Sequence, residues 1–369
     1  MKIVVAPDSF KGNMRSAQVC DLICAAILRE RPEAEVVAFP MADGGEGTVE
    51  AVVAATGGRF ESLDVCGPLG DPVVAQYGVL PDGSAIMEMA SASGLELVPA
   101  ERLNPLEATT SGTGQVLRHL IEEGHASIVM GIGGSATVDG GTGLAQALGY
   151  RLLDSAGHEI TERGGKILSL IHSIDAANVL AGLHQARIRV ACDVTNPLTG
   201  PAGAAAVFGP QKGATPEMVT QLDAGLSNLA HVAGIEGAPG DGAAGGLGYG
   251  LRAFCQAEIV SGAALIAATV GVPAALAGAD LLITGEGCTD GQTASGKLCA
   301  VLAKMARERG AKTLLLSGAL QGELNTFLET FDYAFSISSG PASLEACMAH
   351  APANLGFTVR NVLRLLAEG

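Results

Sequence analysis

The sequence predicts a two-domain α/β protein, in which a Rossmann-like or flavodoxin-like parallel-sheet domain is interrupted by an inserted mixed α/β domain. Short apolar strands alternate with helices at both ends of the 369-residue chain, and turn signals separate strand-like runs in its middle. A chain of this length usually holds about two domains. We therefore expect residues 1–66 and 259–369 to form one discontinuous domain and residues 67–258 to form the inserted one.

The N-terminal segment begins the alternation of strands and helices. The runs "KIVVAP" and "AEVVAFP" are short and apolar, and "SAQVCDLICAAILRER" between them has apolar residues at helical spacing. The C-terminal third repeats this order with "ADLLITG", a predicted helix over 296–309, "KTLLLSG" and "YAFSISS". Strands that are apolar along their whole length are typical of a parallel sheet, because helices cover both of its faces.

The middle of the chain has a different pattern. Gly-Pro, Gly-Asp-Pro and Pro-Asp-Gly turn signals divide "ESLDVCGPLGDPVVAQYGVLPDGSAIMEMAS" into strand-like runs, which predicts antiparallel hairpins. A helix after "SGTGQ" and the strands "SIVMGIGG" and "IRVACDV" follow. We therefore expect a mixed sheet in the inserted domain.

The charge balance favours small-molecule partners. The chain carries 22 Lys and Arg against 38 Asp and Glu, a formal net charge of −16, which opposes binding to nucleic acid or to an anionic membrane. A few basic side chains and backbone amides can still bind a small anion. We expect a small-molecule substrate, no nucleic-acid or membrane partner, and a monomer or homodimer.

Two segments bear on the location of the protein. The apolar run within "MKIVVAPDSF" is too short for a signal peptide. Residues 261–279 are uncharged, but they are rich in Ala and Gly and contain Pro273, so we interpret them as a buried helix that leads to a core strand. We expect the protein to be cytoplasmic.

A glycine-rich stretch, "GIGGSATVDGGTG", covers residues 131–143. Its first half fits the dinucleotide fingerprint G-x-G-x-x-A, so an NAD(P)-dependent oxidoreductase is one interpretation. A dinucleotide turn must lead directly into a helix, whereas more glycine follows here. A wide turn with many backbone amides fits a small anion better. Its candidate anion-binding residues are Gly133, Gly134, Ser135, Thr137 and Asp139.

A second glycine-rich stretch, "GQTASGKL", covers residues 291–298 and resembles a P-loop. A P-loop ends in Ser or Thr, whose hydroxyl holds Mg²⁺, and this chain has Leu298 at that position. A P-loop fold is therefore not predicted. Lys297, at the predicted start of a helix, is a candidate to neutralise phosphate charge.

Carboxylates, glycines and lysines follow several predicted strands. They occur in "APDSFKG" (Asp8, Ser9, Lys11), "MADGGEGT" (Asp43, Gly44, Gly45, Glu46), "CDVTNPL" (Asp193, Thr195, Asn196), "FGPQKGA" (Lys212) and "TGEGCTDGQTASGK" (Glu286, Asp290, Lys297). Phosphoryl transfer needs this mixture, because cations bind the phosphates, carboxylates hold Mg²⁺ and a base acts on the attacking hydroxyl. The pattern favours a phosphotransferase over a hydride-transfer enzyme.

Taken together, these motifs resemble the bacterial glycerate kinases of the glycerate 2-kinase type. The resemblance covers nearly the whole chain and includes "GPLGDPV", "EMASASGL", "TTSGTGQ" and "GAAGGLGYGL" beside the loops above. It implies a two-domain α/β enzyme that uses ATP and Mg²⁺ to phosphorylate D-glycerate, usually at the 2-hydroxyl, giving 2-phosphoglycerate.

Roles within these motifs are hypotheses. We expect Asp193 to act on the substrate hydroxyl as a base, with Asp290 as second choice, and Lys297 to assist catalysis. Candidate ligands of Mg²⁺ or of a hydroxyl are Asp43, Glu46 and Glu286. The candidates for binding the substrate or phosphates are Asp8, Ser9, Lys11, Gly44, Gly45, Thr195, Asn196, Lys212 and the residues of the glycine-rich stretch named above.

Two positions depart from the usual pattern of that family. Val138 stands where the family usually has Asn, and Cys288 stands where it usually has Arg. A guanidinium near phosphates makes a charge-assisted contact worth about 1.5–3 kcal/mol, which Cys288 cannot supply. A kinase-fold binding protein with impaired catalysis therefore stays open, beside the oxidoreductase.

Overall fold

The computed structural model describes residues 1–42, 44–45, 47–290 and 298–366. Their contacts divide the chain into two units. The first unit comprises Met1–Asp43, Glu50–Thr56 and Gly262–Gly369, and the second comprises Gly44–Val49 and Gly57–Ser261. The sequence placed the corresponding boundaries after residues 66 and 258.

Strands and helices alternate at both ends of the chain, as the sequence predicts, and a helix, Leu324–Thr330, lies between the strands Lys312–Leu320 and Tyr333–Ser336, where the sequence predicted no helix. The strands are β1 (Lys2–Val5), β2 (Glu35–Ala38), β3 (Arg59–Cys66), β4 (Pro72–Val79), β5 (Ala85–Glu88), β6 (Ser127–Gly131), β7 (Arg151–Leu153), β8 (Ser173–Asp175), β9 (Arg187–Ala191), β10 (Glu258–Val260), β11 (Leu281–Thr289), β12 (Lys312–Leu320) and β13 (Tyr333–Ser336). The helices are α1 (Ser16–Glu30), α2 (Thr48–Thr56), α3 (Ala90–Ser93), α4 (Ser111–Glu122), α5 (Thr142–Ala147), α6 (Ala204–Phe208), α7 (Pro216–Ala233), α8 (Ala243–Cys255), α9 (Gly262–Val270), α10 (Val272–Ala275), α11 (Leu298–Arg307), α12 (Leu324–Thr330) and α13 (Leu344–Leu365).

The first unit contains a parallel sheet with the strand order β13-β12-β11-β1-β2. Ile3 and Val5 of β1 and Leu281 and Ile283 in the first half of β11 lie in a core with α1 and α13. This arrangement confirms the predicted parallel sheet, because strands buried on both faces require helices on each side.

The second unit contains a mixed sheet with the strand order β10-β9-β6-β5-β4-β3. β3, β4 and β5 pair antiparallel, as the turn signals between them predict. β5, β6, β9 and β10 pair parallel. β7 and β8 form a separate antiparallel pair. The α/β class with a mixed second sheet is confirmed.

The uncharged segment 261–279 contains α9 and α10 and leads to β11. α9 buries Leu265 and Ile266, and β11 begins with the buried Leu281 and Leu282. Across the residues that the structure describes, no helix combines the length and the hydropathy that a membrane span requires.

Candidate active site

Four parallel strands of the second unit end in one row at the carboxyl edge of its sheet. The register pairs Glu88 with Gly131, Gly131 with Ala191, and Ala191 with Val260. Ligands of open α/β sheets bind beyond the carboxyl ends of parallel strands. This edge, followed in sequence by the glycine-rich turn 131–143 and by Asp193, is therefore the candidate site of the second unit.

The segment Gly44–Gly45 packs directly on this edge. A Cβ on Gly131 would lie 2.5 Å from the Gly44 carbonyl oxygen, and a Cβ on Gly133 would lie 2.8 Å from the Gly45 Cα. Gly44 itself has φ +93 and lies against Ala191. Side chains at these positions would separate the backbones. The structure thus brings together two glycine-rich motifs that are far apart in the sequence.

The glycine-rich turn has an exposed part and a buried part. Gly133 is half-buried and Gly134 is exposed, whereas the residues from Ser135 to Gly143 are buried. The exposed part is held by a hydrogen bond from the Leu95 amide to the Gly134 carbonyl, at 2.8 Å. α5 begins only at Thr142 and has six residues. A dinucleotide turn leads directly into a long helix, whereas this turn does not.

Asp139 is the buried carboxylate of the turn. It accepts hydrogen bonds from the Thr110 amide (2.8 Å) and hydroxyl (2.9 Å), from the Gly141 amide (3.1 Å) and from the Gly143 amide (3.3 Å). Burial raises the pKa of the Asp139 carboxyl, and these hydrogen bonds oppose that shift. The contacts are those of a group that holds the turn in shape, and its predicted role as an anion ligand stays a prediction.

Lys212 lies at the end of a short 3₁₀ turn over Pro210–Lys212 and is only 1% exposed. Its Nζ donates to the Ser135 hydroxyl at 2.6 Å and to the Thr137 carbonyl at 2.7 Å. Burial lowers the pKa of the Lys212 amine to about 7, against the opposing effect of the Asp139 carboxylate. The amine that we expected to bind phosphate contacts the glycine-rich turn from inside the protein. Thr137 is also buried, and its hydroxyl has no hydrogen-bond partner among the described residues.

The start of α8 supports the turn from another side. Ala244, Gly245 and Gly246 have φ values of 52, 69 and 87. The Gly140 amide donates to the Gly245 carbonyl at 3.1 Å, and a Cβ on Gly245 would clash with the Thr137 carbonyl oxygen. Sequence reasoning assigned no role to this segment, although its paired glycines are a signal of close backbone approach.

Glu88 is a second group that sequence reasoning missed. Its carboxylate is 9% exposed and accepts a hydrogen bond from the Val49 amide at 2.6 Å. Both residues belong to the second unit, and Val49 directly follows the Gly44–Thr48 segment. The available signal was an acidic residue at the carboxyl end of the otherwise apolar strand "AIME".

Asp193 follows β9 by two residues and is exposed. The Ser261 hydroxyl donates to its Oδ1 at 2.9 Å. Thr195 is exposed, and the Asn196 side chain donates to the Ala202 carbonyl at 2.9 Å, which stabilises the turn after the strand. The position of Asp193 beyond a strand end agrees with the sequence prediction, and its role as base is not tested by this geometry.

The first unit carries carboxylates after β1 and both within and after the adjacent strand β11. Asp8 follows β1, and its amide donates to the Gly285 carbonyl of β11 at 2.8 Å. Burial strongly raises the pKa of the Cys299 thiol, and the carboxylates of Glu286 and Asp8 raise it further. Both carboxylates therefore lie near one buried thiol. The Thr289 hydroxyl donates to Glu286 Oε1 at 3.1 Å.

The remaining predicted residues of the first unit lie around these carboxylates. The Ser9 amide donates to Asp8 Oδ1 at 2.6 Å, Lys11 is exposed, and Asp290 directly follows β11. The sequence placed Glu286 in a turn after the strand, whereas it lies within β11, because β11 stays paired with β12 as far as Thr289.

Three predicted residues lie outside the described part of the chain, namely Asp43, Glu46 and Lys297. The two departures from the family pattern lie in different surroundings. Val138 is fully buried in the core of the second unit, and Cys288 is exposed on β11. A valine suits its apolar surroundings, and nothing in the described structure explains a cysteine at position 288.

Comparisons with known proteins give one consistent result. A family model described as the glycerate kinase family matches residues 3–367. The glycerate kinase of Bacillus subtilis is 43% identical, covering 98% of this chain and 97% of the relative. The glycerate 2-kinase of Escherichia coli is 41% identical, covering 100% and 99%. A crystal structure assigned as a glycerate kinase 2 from Salmonella typhimurium LT2 has a TM-score of 0.89 and 44% identity, and covers 100% of this chain and 99% of that one.

Proposed function

The chain belongs to the glycerate kinase family, and from this premise we propose that it transfers the terminal phosphoryl group of ATP to the 2-hydroxyl of D-glycerate, giving 2-phosphoglycerate and ADP. The observation that carries the proposal is the family match over residues 3–367. A relative from Escherichia coli, similar over its whole length, is named a glycerate 2-kinase, and that name supports the choice of hydroxyl.

The glycine-rich turn is the proposed anion-binding element. Gly133 and Gly134 form its accessible part, next to Gly44 and Gly45 at the same sheet edge. Backbone amides of such turns bind carboxylate or phosphate oxygens without a positive side chain. This role suits an acidic protein whose substrate and nucleotide are both anions.

Asp193 is the proposed base for the substrate hydroxyl. It is accessible at the carboxyl edge, where substrates of parallel sheets bind. The hydrogen bond from the Ser261 hydroxyl to Oδ1 orients the carboxylate. Asp290, at the end of β11, is the second choice for this role.

Mg²⁺ is the proposed cofactor, and the described residues contain no group of three or more His, Cys, Asp or Glu side chains that could hold a metal ion. Glu286 supplies carboxylate oxygens, which are the ligands that Mg²⁺ prefers in proteins. Bound to ATP, the ion would neutralise charge on the transferred phosphoryl group. Asp43 and Glu46 are further proposed ligands. Lys11, with Lys297, is proposed to bind phosphate oxygens.

The charge of −16 opposes nucleic acid or an anionic membrane as a partner, whereas a few local basic side chains and backbone amides suffice for the proposed small anions, ATP and D-glycerate. A cytoplasmic location and a monomeric or homodimeric state remain part of the proposal.

The test is an ADP-release assay with D-glycerate, ATP and Mg²⁺ on the wild type, on Asp193→Asn and on Asp64→Asn. Asp64 is an exposed carboxylate on β3 and serves as the control. Loss of a general base lowers kcat by roughly 10²–10⁴-fold, so we expect that loss for Asp193→Asn and wild-type rates for Asp64→Asn.

The outcomes separate the parts of the proposal. Absence of glycerate-dependent ADP from the wild type would refute the kinase function, and binding of D-glycerate or ATP without turnover would then identify an impaired binding protein. Equal rates for the wild type and Asp193→Asn would refute only the role of Asp193. NMR spectra of the product distinguish 2-phosphoglycerate from 3-phosphoglycerate.

A further inference from the structure

Lys212 is a buried lysine whose side-chain amine donates two hydrogen bonds to the glycine-rich turn. Its Nζ donates to the Ser135 hydroxyl at 2.6 Å and to the Thr137 carbonyl at 2.7 Å. Ser135 directly follows Gly134, which is the exposed residue of the turn. Because Ser135 and Gly134 share a peptide bond, a displacement of the Lys212 amine would shift Ser135 and with it the exposed Gly134.

The burial of this amine points to a role other than stability. Removing an ammonium from water is costly, and an apolar side chain of similar volume is often as good or better for the fold. With 1% of its surface exposed, Lys212 cannot extend to a ligand in solution from this conformation. It can act on a bound anion only through Ser135 and Thr137, and through its charge beneath the turn.

We propose that Lys212 is a positioning residue, which holds the Ser135 side chain and the Thr137 carbonyl so that the glycine-rich turn is already shaped for the anion of the substrate or nucleotide. The inference rests on the proposed kinase function and deepens it. A turn that is ordered before binding loses less conformational entropy when the anion arrives. The positive charge below the turn also favours an anion above it.

The protonation of Lys212 gives this role a measurable signature. The charged group that acts on the amine is Asp139, on the same turn, and the groups that touch the amine, Ser135 and Thr137, are neutral. Its pKa is lowered to about 7 by burial. A bound anion favours the protonated amine, so by reciprocity anion affinity should fall as the pH rises through this range.

The central variant is Lys212→Met, which keeps the length of the side chain and removes its charge. The matched control is Lys166→Met, at a partly exposed lysine of the same unit whose Nζ contacts Glu107 at 2.6 Å. For each protein, we measure four quantities from about pH 6 to about pH 9. They are the hydrogen exchange of residues 131–143, kcat and KM for D-glycerate, the affinity for inorganic phosphate, and the melting temperature.

We expect Lys212→Met to raise hydrogen exchange selectively in residues 131–143 and to lower kcat/KM by about tenfold or more, since small misplacements of binding groups have effects of this size. The second ionisation of phosphate itself affects all three proteins, so the test is the difference between them: above about pH 7, the wild type and Lys166→Met should lose phosphate affinity relative to Lys212→Met. Wild-type exchange and an unchanged pH profile in Lys212→Met would overturn the proposal. So would an exchange increase spread evenly over the second unit, because that indicates general destabilisation.

Ser135→Ala is a milder variant that removes one of the two acceptors of Lys212. It should change exchange and kcat/KM in the same direction, by a smaller factor. If Lys212→Met does not fold, the test rests on Ser135→Ala. Hydrogen exchange of residues 131–143 in Ser135→Ala equal to that of the wild type would then overturn the proposal. If the wild type shows no glycerate-dependent ADP release, the kinase function fails, whereas exchange and phosphate binding still test Lys212.

Discussion

Gly245→Ala is predicted to disturb the glycine-rich turn from outside it. Gly245 has φ +69, and an alanine there would place its Cβ in collision with the Thr137 carbonyl oxygen and 2.8 Å from the Val138 Cα. The left-handed backbone costs alanine about 1–2 kcal/mol. Overpacking against backbone that cannot rotate away adds about 1–3 kcal/mol. We expect a total loss of about 2–5 kcal/mol of unfolding free energy.

Gly234→Ala is the matched control for this substitution. Gly234 ends α7 with φ +68, nearly the value of Gly245, and no described atom lies within 4 Å of its added Cβ. Both glycines belong to the second unit. Gly234→Ala should therefore show the backbone cost alone, and the difference between the two variants measures the contact of α8 with the turn.

Urea unfolding followed by circular dichroism gives the stability of both variants, and the ADP-release assay gives kcat/KM. Because the Thr137 carbonyl also accepts from Lys212, its displacement in Gly245→Ala should lower kcat/KM by about tenfold or more, while Gly234→Ala keeps wild-type activity. Equal losses of stability in the two variants, or full activity in Gly245→Ala, would refute the reasoning.

Three further predictions concern buried charged groups of the second unit. The folded-state pKa of Lys212, about 7, lies below the ordinary lysine value of 10.5, so the unfolded chain binds more protons between these two pH values. The unfolding free energy of the wild type should therefore rise relative to Lys212→Met by about 1.4 kcal/mol per pH unit from about pH 8 to pH 10, and parallel stability curves would contradict this. Asp139→Asn turns an amide group toward backbone N–H donors and should cost about 3 kcal/mol of unfolding free energy, measured by urea unfolding; a loss below about 1 kcal/mol would show that the turn does not depend on the carboxylate. Glu88→Ala removes the acceptor for the Val49 amide and should cost about 1–3 kcal/mol, while Glu88→Gln keeps an acceptor and should cost less; equal losses on urea unfolding would show that the charge of Glu88, rather than this hydrogen bond, stabilises the segment.

The local sequence pattern was sufficient to predict the architecture. Apolar runs such as β1 and β11 can be buried on both faces only in a parallel sheet covered by helices, and the turn signals between β3, β4 and β5 permit only short connections. The same logic placed Asp8 and Asp193 beyond strand ends. Each of these two residues follows a parallel strand of its own sheet, Asp8 after β1 in the first unit and Asp193 after β9 in the second.

The direction and burial of individual side chains were decided by the tertiary structure. Lys212 contacts groups 75 and 77 residues away, and a lysine in "FGPQKGA" looks the same in the sequence whether its amine faces solvent or the core. Glu88 and Gly245 were missed for the same reason, since their partners Val49 and Thr137 are brought to them only by the packing of distant segments. Periodicity determines which elements form and which of their ends meet. The environment of a charged group depends on every segment that packs around it. The sequence therefore determined the sheet edge at which the chemistry is expected. The tertiary structure decided which groups are accessible at that edge and which are buried and hold the accessible ones in position.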